Sequence, residues 1–409
     1  MEKSLDSKRY KVLWAAASMN FISGLIYMWS VISKSLIEDL HFTSKQASLP
    51  YTTFTISFVL AMVIFGKIQD KKGPRLVATY GSILMGTGLI LSGLFKHPGM
   101  LIITMGIITG AGVGILNVST SPPVVKWFPP EKKGMVTGIV VAGAGLSSTM
   151  YSPLANYLIS SVGISKTFIY IGIIALFASL ILAQLLRNPS KDEIGKGIED
   201  NRNSTFKTSK DADWKEMLNS IYFYKLWLML AFSSSAGLMI IGHITSIAKV
   251  QANWQGGFIL VILISIFNTG GRILGGSISD RIGRLNMMKV IFTIQALNML
   301  MFSNYRSPVS LGFGVAVTGL CYGAAFPIFP SAITDLYGLK NFGVNFGLIF
   351  TGWGLGGIIG PMLAASIFDG VGNYNLSYLL AAGLLFISIG IAFTFNLSGE
   401  KKLKLAKID

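Results

Sequence analysis

The sequence predicts an all-α membrane protein in which twelve transmembrane helices form two pseudo-symmetric halves of six. Three observations carry that prediction. Of 409 residues, 52% are apolar and only 13% charged, too few charges to cover a water-soluble globule of this length. The apolar residues gather into twelve stretches, each long enough to supply the roughly 20 helical residues that cross a hydrocarbon core of about 30 Å. Two residue patterns of the first half recur in the second, at offsets of 210 and 209.

Taken in order, the spans cover residues 11–33, 49–67, 75–95, 100–126, 135–159, 166–187, 224–248, 257–279, 285–303, 308–337, 342–368 and 376–396. Span 1 follows a basic start (Lys3, Lys8, Arg9, Lys11) but is too long for a signal-peptide core, so it is expected to stay as a helix. Residues 1–187 form the first half and 224–397 the second. Between them, 188–223 is polar and poor in apolar residues, a cytoplasmic linker that ends in a short surface helix around Asp213–Ile221. Residues 398–409 form a cytoplasmic tail.

The net charge of +16 raises the question of nucleic acid, and the placement of the cations answers it. With an even number of spans both termini share a side. The loops of that side hold 27 of the 34 Lys and Arg, the other side holds six, and Arg272 remains inside a span. Such asymmetry is a topology signal that puts both termini in the cytoplasm. The expected location is a prokaryotic cell membrane, with lipid as a neighbour and no nucleic-acid partner. The single cysteine, Cys321, excludes a disulfide within the chain, and His41, His97 and His243 are too scattered for a zinc motif. No cofactor or metal is expected.

The repeat consists of two matches. Gly66, Asp70, Lys71, Gly73 and Arg75 follow span 2, while Gly276, Asp280, Arg281, Gly283 and Arg284 close span 8. Gly134, Gly138, Gly143 and Gly145 of span 5 return as Gly343, Gly347, Gly352 and Gly354 of span 11. The turn glycines permit tight geometry and close helix approach, and the aspartates suit a helix N-terminus or the nearby cations. A duplicated six-span unit with a site between its halves is an architecture of secondary transporters.

On these motifs the whole chain resembles the major facilitator superfamily (MFS fold). In that family the span 2–3 motif and its partner between spans 8 and 9 hold the cytoplasmic side shut, so the resemblance implies a gate at both turns; the alternative is that their cations only anchor topology. The runs Lys133–Leu146 and Tyr337–Pro361 resemble the oxalate/formate antiporter family and the related monocarboxylate transporters. Arg272 matches the substrate-binding arginine of both groups. Two departures shape the expected cargo. The oxalate exchanger meets a second carboxylate with a lysine in span 11, whereas residues 342–368 hold neither Lys nor Arg and offer Thr351 and Trp353. Animal monocarboxylate transporters carry an aspartate four residues before the arginine and a lysine in span 1, where this chain has Asn268 and Val31, so their proton relay does not transfer.

A buried arginine costs about 2.5–3.5 kcal/mol on insertion scales and marks a site by default. Ser265, Asn268, Arg272, Gly276 and Ser279 follow steps of three and four and share one helix face. Arg272 is expected to pair with one carboxylate and Asn268 to help orient it; the competing reading, a structural pair, lacks a mid-span acid, since Asp335 sits near the end of span 10. Further substrate candidates are Tyr322, Phe326, Tyr27, Asn117 and Trp353, each also explicable as core packing. His243 could carry a proton or be a hydrogen-bonded packing residue. The G-x-x-x-G series Gly106–Gly110–Gly114 and Gly352–Gly356–Gly360 mark small-residue seams at which helices approach and halves can rock.

The expected function is secondary transport of small organic anions, monocarboxylates of the lactate, pyruvate or formate type, by alternating access with a co-transported proton or a counter-anion, as a monomer. Alternatives are an exporter of lipophilic compounds, a dicarboxylate exchanger, and a membrane sensor without transport. An enzyme is not expected, because no catalytic cluster of His or carboxylates falls within the spans.

Overall fold

The computed structural model describes residues 2–190, 193 and 211–395, with the backbone alone at 2–5, 26, 27, 30, 44, 45 and 148. The tail 398–409 and most of the linker therefore lie outside the described residues. Of the linker, the capped helix Trp214–Leu218 is seen, started by a capping box between Asp213 and Glu216.

Among the described residues ten helices are long and apolar enough to cross a membrane, and the twelve-span fold is recovered from two departures in their outline. Spans 5 and 6 run together as Lys133–Ala183, divided only at Gly163, whose φ of 81° breaks the helix. A Cβ there would meet nothing within 4 Å, so it is the positive φ that favours glycine. Span 1 escapes the count because it is interrupted: Glu2–Ser23 passes through a tight 3-10 segment, Gly24–Met28, into Trp29–Leu40. The remaining spans are Ser44–Lys72, Pro74–Leu94, Pro98–Trp127, Ile221–Ala252, Gly257–Ile282, Arg284–Phe302, Pro308–Tyr337, Phe342–Val371 and Asn375–Phe393. Span 4 holds a π-helical stretch, Ile102–Thr109, in which Thr109 Oγ1 donates to the Thr104 carbonyl.

Glycine decides where the halves touch. A Cβ on Gly134 or Gly276 would overlap the other's carbonyl, bringing span 5 against span 8, and Gly66 and Gly343 do the same for spans 2 and 11. One turn further in, Gly138 abuts the Arg272 carbonyl and Gly347 that of Met62. The two G-x-x-x-G series do something else. Gly106, Gly110 and Gly114 pack span 4 onto Thr53, Phe54 and Phe58 of span 2, and Gly352, Gly356 and Gly360 pack span 11 onto Trp227, Ala231 and Ser235 of span 7. Those seams bind each half internally. The contact between the halves is made instead by Gly66, Gly134, Gly138, Gly276, Gly343 and Gly347.

Candidate substrate site and gate

Span 8 turns one face inward. Ser265, Asn268, Arg272, Gly276 and Ser279 are all buried, while Phe258, Ile262, Ile266 and Leu274 are exposed on the outside of the bundle. Arg272, 1% exposed, is among the largest fully buried side chains. Its Nε donates to Asn268 Oδ1 at 3.0 Å, and its Nη1 donates to the Val141 carbonyl of span 5, in the opposite half. The guanidinium carbon lies 4.3 Å from the centre of the Phe326 ring, a favourable cation–π placement.

Around this cation stands an aromatic wall. Tyr322 and Phe326 meet edge to face at 5.2 Å, and Trp353 Nε1 donates to the Tyr322 hydroxyl at 3.0 Å. Trp353 also packs against Phe58 of span 2, ring centres 5.6 Å apart, and near Phe326 at 6.4 Å. Five of the residues expected at a substrate site (Arg272, Asn268, Tyr322, Phe326 and Trp353) thus form one contiguous cluster. The sequence reading missed Phe58 and the Val141 carbonyl. A phenylalanine in an apolar helix carries no signal of its own, yet the 210-residue offset would have found it, because Phe58 stands where Asn268 stands in the second half and Met62 where Arg272 stands.

Other candidates lie apart from these contacts. His243 Nε2 is 3.0 Å from the Pro361 carbonyl and its ring packs beside Tyr374 at 5.5 Å. Asn117 is half-buried, its carbonyl accepting from Thr120 Oγ1 at 3.0 Å. The side chain of Tyr27 lies outside the described residues.

Both motif turns reach across the boundary between the halves at the face where span 1 begins. Asp280 accepts from the Gly134 and Met135 N–H groups, each at 2.8 Å. Asp70 accepts from those of Gly343 at 2.9 Å and Val344 at 3.0 Å. Each carboxylate therefore caps the first turn of a helix in the other half, where orphan amides and the helix dipole favour a negative charge. Gly73 and Gly283, φ 86° and 89°, make the tight turns that follow. The two turns differ in their cations. Asp280 pairs with Arg284 at 2.6 Å, and Arg284 and Lys133 both reach Asp335 at 3.3 Å. Arg75 and Arg281 are exposed.

A family model described as the Major Facilitator Superfamily matches residues 13–303 and 290–408. The chain belongs to the major facilitator superfamily. It is 27% identical to the oxalate:formate antiporter of Oxalobacter formigenes, over 99% of this chain and 95% of that protein. Monocarboxylate transporter 13 of Rattus norvegicus is 21% identical over 80% of this chain and 74% of its own. The fold matches the solved structure of a proton:xylose symporter with a TM-score of 0.76 at 13% identity, covering 95% and 96% of the two chains. Superfamily membership makes the protein an integral, multi-pass membrane transporter of a small molecule and not an enzyme.

Proposed function

We propose that this superfamily member carries small monocarboxylates of the lactate, pyruvate or formate type by alternating access, coupled to a proton or to a counter-anion, with both termini cytoplasmic. The observation that carries the reading is Arg272, a buried guanidinium at the boundary of the halves, set over Phe326 and steadied by Asn268. A guanidinium presents a planar fork that matches a carboxylate in a bidentate pair. The Val141 carbonyl now holds one of its donors. A carboxylate that takes this donor removes a tie between spans 8 and 5, which links occupancy to the movement of the halves.

The surroundings favour one charge over two. Span 11 presents Thr351 and Trp353 toward spans 7 and 10, with Thr351 Oγ1 accepting from Trp227 Nε1 at 2.7 Å. The positions equivalent to Arg272 and Asn268 in the first half are Met62 and Phe58. A second carboxylate would be desolvated against apolar groups, which costs several kcal/mol, on the order of the penalty for an uncompensated buried ion. The substrate is read as an anion with one charged end and one small apolar or neutral end, its tail toward Phe58, Tyr322 and Trp353.

The test is uptake of radiolabelled lactate, pyruvate, formate and oxalate by proteoliposomes, with and without an imposed pH gradient. Monocarboxylate uptake that exceeds oxalate uptake supports the reading. Oxalate transport at a comparable rate would replace it with the dicarboxylate exchanger, and ligand binding without flux with a sensor.

A further inference from the structure

A groove of about 410 Å³ opens on the outside of the bundle between the start of span 1 and the end of span 6, lined by Ser7, Tyr10, Lys11, Trp14, Leu182 and Leu185 among others. That volume falls in the range of small-molecule sites, about 300–1,000 Å³. Its chemistry is graded along the helix. Ser7, Tyr10, Lys11, Trp14 and Ser18 recur at steps of three and four, so they form one stripe about 16 Å long, with two hydroxyls and a cation over its first turn, then the apolar walls of Trp14, Ala15, Leu182 and Leu185, and one further hydroxyl at Ser18. Trp14 is 61% exposed and Tyr10 48%. In a membrane protein, large amphipathic rings so exposed near a helix end sit at headgroup level.

The cations around the groove are committed unequally. Lys8 reaches Glu193 at 3.3 Å, Arg9 pairs with Asp6, and Arg187 takes Glu193 at 2.8 Å. Among the described residues Lys11 has no such acidic partner, and its side chain is exposed at the polar end of the groove. We propose that this groove binds one anionic phospholipid, its phosphate on Lys11 and the Ser7 and Tyr10 hydroxyls, and an acyl chain along Trp14, Leu182 and Leu185. The inference needs only membrane insertion and is independent of the substrate reading.

The test is native mass spectrometry of the detergent-solubilised protein titrated with phosphatidylglycerol or phosphatidylcholine. The parent should retain one phosphatidylglycerol in preference to phosphatidylcholine. Lys11→Gln should weaken that retention about fivefold, equivalent to about 1 kcal/mol for one lysine at a membrane surface, and Lys8→Gln should weaken it less. Trp14→Ala should weaken retention of both lipids. These side chains are exposed, so the variants should unfold at the parent temperature, which a thermal scan verifies. Equal retention of the two lipids, a Lys11→Gln variant that binds like the parent, displacement of the lipid by millimolar inorganic phosphate, or a second protein copy on this face would each overturn the proposal.

Discussion

Replacing Arg272 with alanine tests the substrate site most directly, and the structure sets the size of the effect. A bidentate guanidinium–carboxylate pair contributes two hydrogen bonds to a charged group, each about 1.5–3 kcal/mol, so losing both should lower transport efficiency by about two to four orders of magnitude. The fold should bear the change. Two acceptors, Asn268 Oδ1 and the Val141 carbonyl, are left short of a donor at about 1–3 kcal/mol each. Against this, a cation whose burial costs about 2.5–3.5 kcal/mol in a membrane helix is gone. The opposing terms are of one size, and the unfolding temperature should move by only a few degrees. Arg272→Lys keeps the charge without the planar fork and should fall between parent and Arg272→Ala. The assay is initial-rate uptake of labelled lactate by proteoliposomes over a range of concentrations, beside a thermal unfolding scan. An Arg272→Ala protein that folds and takes up monocarboxylates with the parent's rate and KM would refute the assignment.

Tyr322→Phe strips Trp353 Nε1 of its acceptor and should raise KM severalfold with little loss of stability, read from the same uptake curves. Asp280→Asn should loosen the closed face more than Asp70→Asn, because it also breaks the 2.6 Å pair with Arg284; labelling of a cysteine introduced at Val344 or Met135 should report the order. His243→Gln can keep the Pro361 contact and should preserve pH-driven uptake; its loss would make His243 the proton carrier. Glu193 is held down to about 2 by the Arg187 hydrogen bond first, then by the Ser190 amide. A depressed carboxylate stabilises fully above its ordinary value of 4.5 and loses that contribution as pH falls toward 2. Unfolding temperatures at pH 7 and 5.5 should therefore agree between parent and Glu193→Gln as regards pH trend, with the parent losing its advantage, about 1 kcal/mol or less for a surface ion pair, only below about pH 4.5.

The membrane class and the duplicated plan were legible because both are written in side-chain type: long apolar runs, and glycines that return at 209 residues. Arg272 stood out for the same reason, since a cation within such an apolar run is rare. Its Val141 contact did not, because a backbone carbonyl is identical at every residue. Gly163 was hidden as well, one glycine among 46, although it alone divides two spans. The G-x-x-x-G series announced close packing correctly but not with whom, since a small residue records that a neighbour is near without naming it. The Lys133–Asp335–Arg284 network escaped notice because its members lie far apart in the chain and are brought together only by the packing of spans 5, 9 and 10.

The two aspartate caps have a corollary for how the molecule is put together. Asp70 finishes a helix that belongs to the second half, and Asp280 finishes one that belongs to the first, so each half leaves one helix start for the other to complete. The arrangement is a reciprocal handshake, in which each partner lends an acid and borrows one. Cut within the linker and expressed as two polypeptides, the halves would still carry complementary grips at one end and would have reason to find each other, without a peptide bond between them.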